Sequence, residues 1–251
     1  MRRQLLLLLT GIAFATQVSG QTLGVTKDAL LWTGVGLDLD INKQFSVGYE
    51  SCLRMNQNMT NLQNFYNEFS LGYDPGIVKG LDFAVKYRLS RKDRGPYYAF
   101  ENRFNLDASY AYKLEDIGLT FSVRARYQVA FNRLGTINND IFPKTQHSAR
   151  FRLKVAYRNP EFKRIQPFVS AEPFVALKPK NQFSSLNAYR LTGGIKFDLP
   201  KRLELEVYYI LEKNFRSVPL KNYIYGLQLT YVFKNPLIKE KSVESDVDSE
   251  K

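Results

Sequence analysis

Histidine, cysteine and tryptophan each occur only once in this chain of 251 residues. The lone cysteine, Cys52, rules out an internal disulfide framework and reads as a plain packed thiol. One histidine and one cysteine leave too few ligands for a zinc-type centre, so neither a metal nor a cofactor is expected. Long apolar runs are also missing. The longest, residues 5–16, falls short of the ~20 residues that a helical span needs. No convincing amphipathic helix follows it. Acids are scarcer than bases, 24 against 36, which gives a formal net charge of +12.

What is present begins with an export signal. Arg2 and Arg3 form a positive start, residues 5–16 an apolar stretch, and Val18, Ser19 and Gly20 a cleavage region before Gln21. Residues 1–20 therefore read as a signal peptide rather than an anchor. A basic chain invites a nucleic-acid reading, but export argues against it. Anionic headgroups outside the cytoplasm are the more natural partners.

Beyond residue 20 the dominant pattern is period-two alternation. In 31–41 the odd positions are Leu31, Thr33, Val35, Leu37, Leu39 and Ile41, and the even ones Trp32, Gly34, Gly36, Asp38 and Asp40. Further runs fall at 44–56, 62–73, 81–90, 97–113, 118–132, 148–157, 166–177, 187–198, 203–212 and 221–233. Many of these eleven runs are longer than the usual soluble strand. Each has one face without charge. The other face carries acids, including Glu50, Glu68, Glu101, Asp107, Glu172, Glu204 and Glu206. It carries bases in similar number, including Lys86, Arg88, Arg103, Arg124, Arg126, Arg150, Arg152, Lys154 and Arg190.

Two folds fit such strands. A soluble sandwich or lipocalin-like barrel would turn the apolar face inward. An outer-membrane barrel would turn it to lipid and line the lumen with charge. Three features favour the membrane barrel. The apolar face is crowded with aromatics, many of them near strand ends, where interfacial girdles belong. Connections alternate short and long, as periplasmic turns and extracellular loops do. The last strand closes on Tyr231, Val232 and Phe233. The expectation is an all-β, transmembrane antiparallel β-barrel over 21–233, with 234–251 as a flexible periplasmic tail. Bacterial barrels of this type have even strand numbers. A short strand near 22–27 would raise eleven to twelve, with ten as the fallback.

The chain resembles a bacterial outer-membrane barrel family catalogued as domain of unknown function 2490. The likeness spans about residues 28–233. It rests on Trp32, FENRF at 100–104, RARYQ at 124–128, ARFRLK at 149–154, SAEPF at 170–174 and YRLTGGIKF at 189–197. The chain departs from the pattern at Asn102, where a histidine is expected. The resemblance implies a barrel in the outer membrane of a Gram-negative bacterium and carries no assigned activity.

Function then turns on the charged face. Paired charges could fill the lumen as an ion-paired structural or interaction barrel. The arginine stripe 124, 126, 150, 152 could instead set the selectivity of a narrow, porin-like, anion-favouring pore. No enzyme activity is expected. The alternative is a lipid-modifying hydrolase built on His147 at the extracellular rim, but Ser148 beside it points to the opposite face. Expected partners are outer-membrane lipid, lipopolysaccharide phosphates at the basic loops (Arg91, Lys92, Arg94; Lys178, Lys180; Lys213, Arg216, Lys221) and the barrel-assembly machinery. The protein is expected to be monomeric.

Overall fold

The computed structural model describes residues 26–132, 145–158, 164–177, 185–215 and 220–233. The signal peptide, the tail, residues 22–25 and the loop cations Lys178, Lys180 and Arg216 lie outside them. Eleven strands form one closed barrel: β1 Thr26–Asp40, β2 Phe45–Asn56, β3 Asn61–Tyr73, β4 Leu81–Asp93, β5 Tyr98–Leu114, β6 Leu119–Asn132, β7 Gln146–Tyr157, β8 Ile165–Leu177, β9 Ser185–Leu199, β10 Leu203–Asn214 and β11 Leu220–Phe233. Each corresponds to one of the eleven alternating runs. Every sequential pair is antiparallel, and β1 meets β11 in parallel, from Thr26 opposite Leu220 to Leu39 opposite Phe233.

The even count expected from bacterial barrels is therefore not what closes this wall. An up-and-down chain with an odd number of strands brings its first and last strands round in the same direction, so the seam has to be parallel. Its hydrogen bonds are slanted and slightly weaker per residue. With β1 bonded to β2 and β11, and β11 to β10 and β1, no described edge is left for a twelfth strand.

The barrel is inverted relative to a soluble protein. Val35, Phe69, Leu106, Phe151, Leu153 and Val169 point outward, and each is more than half exposed. Glu68, Arg88, Glu101, Asp107, Arg126, Arg150 and Glu172 point inward and are buried. This arrangement excludes the lipocalin-like alternative, which needs its apolar face inside. Aromatic pairs decorate the outer wall, among them Phe45 with Tyr73 (5.1 Å) and Tyr209 with Tyr225 (5.2 Å).

Turns at one end are short and built for tight reversal. Asn42 Oδ1 accepts the backbone N–H groups of Gln44 and Phe45. Gly118, at φ +67°, lies against the neighbouring turn, where a Cβ would fall 2.2 Å from the Arg158 carbonyl oxygen; the Arg158 N–H donates to the Gly118 carbonyl. A side chain at position 118 would clash with backbone and adopt a left-handed conformation that favours glycine.

Two strand glycines serve one inward ring. Tyr208 on β10 is flanked by Gly194 on β9 and Gly226 on β11. A Cβ at Gly226 would lie inside that ring, and one at Gly194 would lie 2.8 Å from the Tyr208 Cβ. Leu106, at the middle of β5, tests the orientation of the wall. Leu106→Arg should lower unfolding stability in lipid vesicles by about 2–4 kcal/mol, the cost of an arginine on the lipid face at mid-depth. Ser109→Glu, on the inward face of the same strand and directly opposite Arg124, should change it much less. Equal losses in urea titrations of the two variants would contradict the inverted assignment.

Candidate functional site: a charged lumen belted by stacked rings

An eight-stranded barrel is already wide enough for its side chains to just fill the interior. Eleven strands enclose more space, and only long side chains reach its middle. Arginine and the large aromatics supply that length. Period two places Arg124 and Arg126 on the inward face of β6, directly opposite Arg152 and Arg150 on β7. Four arginines side by side would repel one another, so carboxylates from other strands reach in between them.

Asp107, the cross-strand partner of Arg126, takes two parallel bonds from its guanidinium, both 2.6 Å. Glu172 on β8 bridges Arg124 at 2.7 Å and Arg150 at 3.1 Å, the first contact spanning an intervening strand. Glu68 holds Arg88 at 2.7 Å and lies 3.8 Å from Lys86. Glu101 accepts from Arg103 at 2.8 Å and from Lys92 at 2.7 Å. Arg190 pairs with Glu212, and Lys196 with Glu204 at 2.8 Å. Glu50 accepts the Tyr66 hydroxyl at 2.5 Å. All sixteen lumen candidates thus sit on inward-facing strand positions. Of the sixteen, Glu50, Arg152, Lys154 and Glu206 make no salt bridge among the described residues.

Rings on the charged face join these pairs. Arg150 lies over Phe174 at 4.2 Å, and Arg190 over the same ring at 4.6 Å. Arg190 also faces Trp32 at 5.0 Å, reaching past β10 and β11 from β9 to β1. Arg54 covers Trp32 at 3.7 Å and approaches Tyr66 at 4.9 Å. Arg88 lies over Tyr66 at 3.6 Å. The result is an unbroken ladder: Arg150, Phe174, Arg190, Trp32, Arg54, Tyr66, Arg88. Each such contact contributes roughly 0.5–2 kcal/mol, more where water is excluded. Beside the ladder, Leu30, Trp32, Ile210 and Ile224 form a small apolar cluster with Tyr208 packed on it. Lys154 lies over Phe168 at 3.9 Å.

The sequence reading assigned aromatics to the outer face and overlooked these inner ones. The signal was parity: Tyr66 shares its face with Glu68, Phe174 with Glu172, and Tyr208 with Glu206. Lys92 was also misplaced. It is not a loop cation but an inward residue of β4, held by Glu101, while its neighbour Arg91 lies outward over Tyr98 at 4.3 Å. Lys213 and Lys221 likewise belong to strands.

Toward the short-turn end the lumen opens into a cavity of about 540 Å³, lined among others by Asp40, Asp82, Lys86, Asp107, Arg124 and Arg152. His147 lies on the outer face, exposed, with its Nδ1 2.6 Å from the Tyr127 hydroxyl. Ser148 faces inward, so the two cannot act together. Asn102, at the position where a histidine was expected, occupies an equivalent outer site and accepts the Tyr87 hydroxyl at 2.7 Å.

With this geometry in hand, the comparisons with known proteins fall into place. The family model described as "Protein of unknown function (DUF2490)" matches residues 29–222. The chain belongs to that family. Among solved structures it is similar to the β domain of the Bordetella autotransporter BrkA, at 14% identity, with a TM-score of 0.45 and coverage of 71% of this chain and 78% of that one. No curated protein matches. The chain is thus a family member with an outer-membrane-type β-barrel fold.

Glu172 offers the sharpest test of the ion-paired lumen. Glu172→Gln leaves Arg124 and Arg150 without their carboxylate, and removing one partner of a buried pair costs about 3–5 kcal/mol. Chemical unfolding should show a loss of that size. A loss below about 1 kcal/mol would mean that water, not Glu172, neutralises the arginines.

Proposed function

We propose that the protein is a closed, ion-paired barrel of the Gram-negative outer membrane, serving as a structural or interaction scaffold rather than a channel or an enzyme. The observation that carries this reading is the belt of four arginines and three rings around the inner wall, in which Trp32, Tyr66, Arg88 and Arg150 are each buried. An ion would have to part stacked, desolvated pairs to pass, and a permeant site needs binding weak enough to release. The barrel sits as a monomer, inserted by the barrel-assembly machinery, with its short turns in the periplasm. Arg91, Arg94 and Lys213 at the opposite end face lipopolysaccharide phosphates. Catalysis at His147 is disfavoured because its Nδ1 is engaged by Tyr127 and Ser148 faces away.

A planar bilayer distinguishes the scaffold from the pore. Refolded mature protein, its β content verified by circular dichroism, should give no discrete current steps. The double variant Trp32→Ala with Phe174→Ala, which removes two rungs, should conduct. Discrete steps from the unaltered protein would overturn the closed reading. An anion preference that reverses in Arg124→Glu with Arg126→Glu would establish the anion-favouring pore in its place.

A further inference from the structure

We infer that the cavity at the short-turn end is a binding site for a small solute carrying a phosphate group, admitted from the periplasmic side. The inference rests on the closed reading above in one respect: the ladder makes this cavity a dead end. Its volume, about 540 Å³, falls within the range of small-molecule sites. Its mouth is formed by turn and strand-end residues, including Asn42, Lys43, Gln44 and Asp74.

The charge count on its inner wall is unbalanced. Of the residues that line it there, Lys86, Arg124 and Arg152 stand with a single lining carboxylate, Asp107, which Arg126 already holds. Arg152 stands directly opposite Arg124 in the β6–β7 register, and both line the cavity. Like charges opposed on one sheet face are destabilising unless something negative lies between them. Arg152 makes no salt bridge among the described residues, and the buried Arg124 Nε has no hydrogen-bond partner there. Two guanidinium forks on one surface suit an oxyanion that accepts several parallel bonds. A dianion answers an excess of this size better than a monocarboxylate does.

The outer part of the cavity has the opposite character. Asp40, Asp74 and Asp82 line it with Lys43. These acids repel a solute anionic at both ends and orient one whose phosphate leads inward. The strand wall separates the cavity from bilayer lipid, so the occupant is a soluble phosphate compound rather than a membrane phospholipid.

The test is isothermal titration of the refolded full mature chain in detergent micelles at pH 8, with inorganic phosphate and separately with acetate, at matched ionic strength in chloride. Phosphate should bind with one-to-one saturation, and acetate at least tenfold more weakly. Arg152→Gln should weaken phosphate at least tenfold, while Arg152→Lys should lose less. Lys27→Gln, at the far end of the barrel on β1, should bind as the unaltered protein does. Arg152→Gln breaks no salt bridge, so it should refold normally, which circular dichroism would verify. No saturable phosphate binding, equal binding in Arg152→Gln, or equally tight acetate would each overturn the assignment. The outcomes separate from those of the closed reading: a silent barrel that ignores phosphate sinks only the pocket, whereas a conducting one that binds it sinks only the closure.

Discussion

A charge inside a barrel whose outer face is apolar has little water to turn to, and this single constraint organises the molecule. Taking an arginine or a glutamate out of water costs several kcal/mol unless a partner with good geometry replaces the lost hydration. Eleven strands make the lumen too broad for short apolar side chains to fill. The chain fills it with long cations and meets the resulting charge in two ways. Carboxylates on neighbouring or next-neighbouring strands take the guanidinium N–H groups, as Asp107 does for Arg126. Rings take the flat faces, as Trp32 and Phe174 do for Arg54 and Arg150. Because a guanidinium donates in its plane and stacks above it, one arginine serves both roles at once. Arg190 pairs with Glu212 while facing Phe174 and Trp32.

The same rule operates on the outer wall with the opposite sign. Polar side chains there have no lumen partners, and an unsatisfied polar group against hydrocarbon costs several kcal/mol. Asn67, Asn102 and His147 each meet a tyrosine hydroxyl from an adjacent strand, Tyr49, Tyr87 and Tyr127 respectively, at 2.6–2.7 Å. The tyrosine ring keeps the surface apolar while its hydroxyl quiets the polar group. One glycine of YRLTGGIKF finds its explanation in packing too: a Cβ on Gly194 would run into the Phe168 ring and the Tyr208 Cβ.

The two ends of the lumen differ for a physical reason. Where rings and carboxylates are plentiful, cations are locked in pairs and stacks. Toward the short turns Ser46, Ser70, Gly72, Ala84 and Ser109 line the wall beside Phe45, Tyr73 and Phe83, and a cavity opens with Arg152, which makes no salt bridge among the described residues, beside it. Its charged lining is segregated, with Asp40, Asp74 and Asp82 at the strand ends and Lys86, Arg124 and Arg152 deeper in.

Alternation by itself determined the strands, their facing and the inside-out character of the barrel. Side chains two residues apart must share a face, and no soluble core admits that density of charge. It also singled out Arg124, Arg126, Arg150 and Arg152 as one surface. Tertiary structure decided the rest. Which carboxylate serves which arginine depends on strands brought together by closure, as with Glu172 and Arg124, 48 residues apart. The ladder was invisible because Trp32 and Arg190 come together only when the β1–β11 seam closes. The strand count followed from the seam: periodicity counts strands, but only closure of the sheet shows that β1 and β11 complete the wall in parallel.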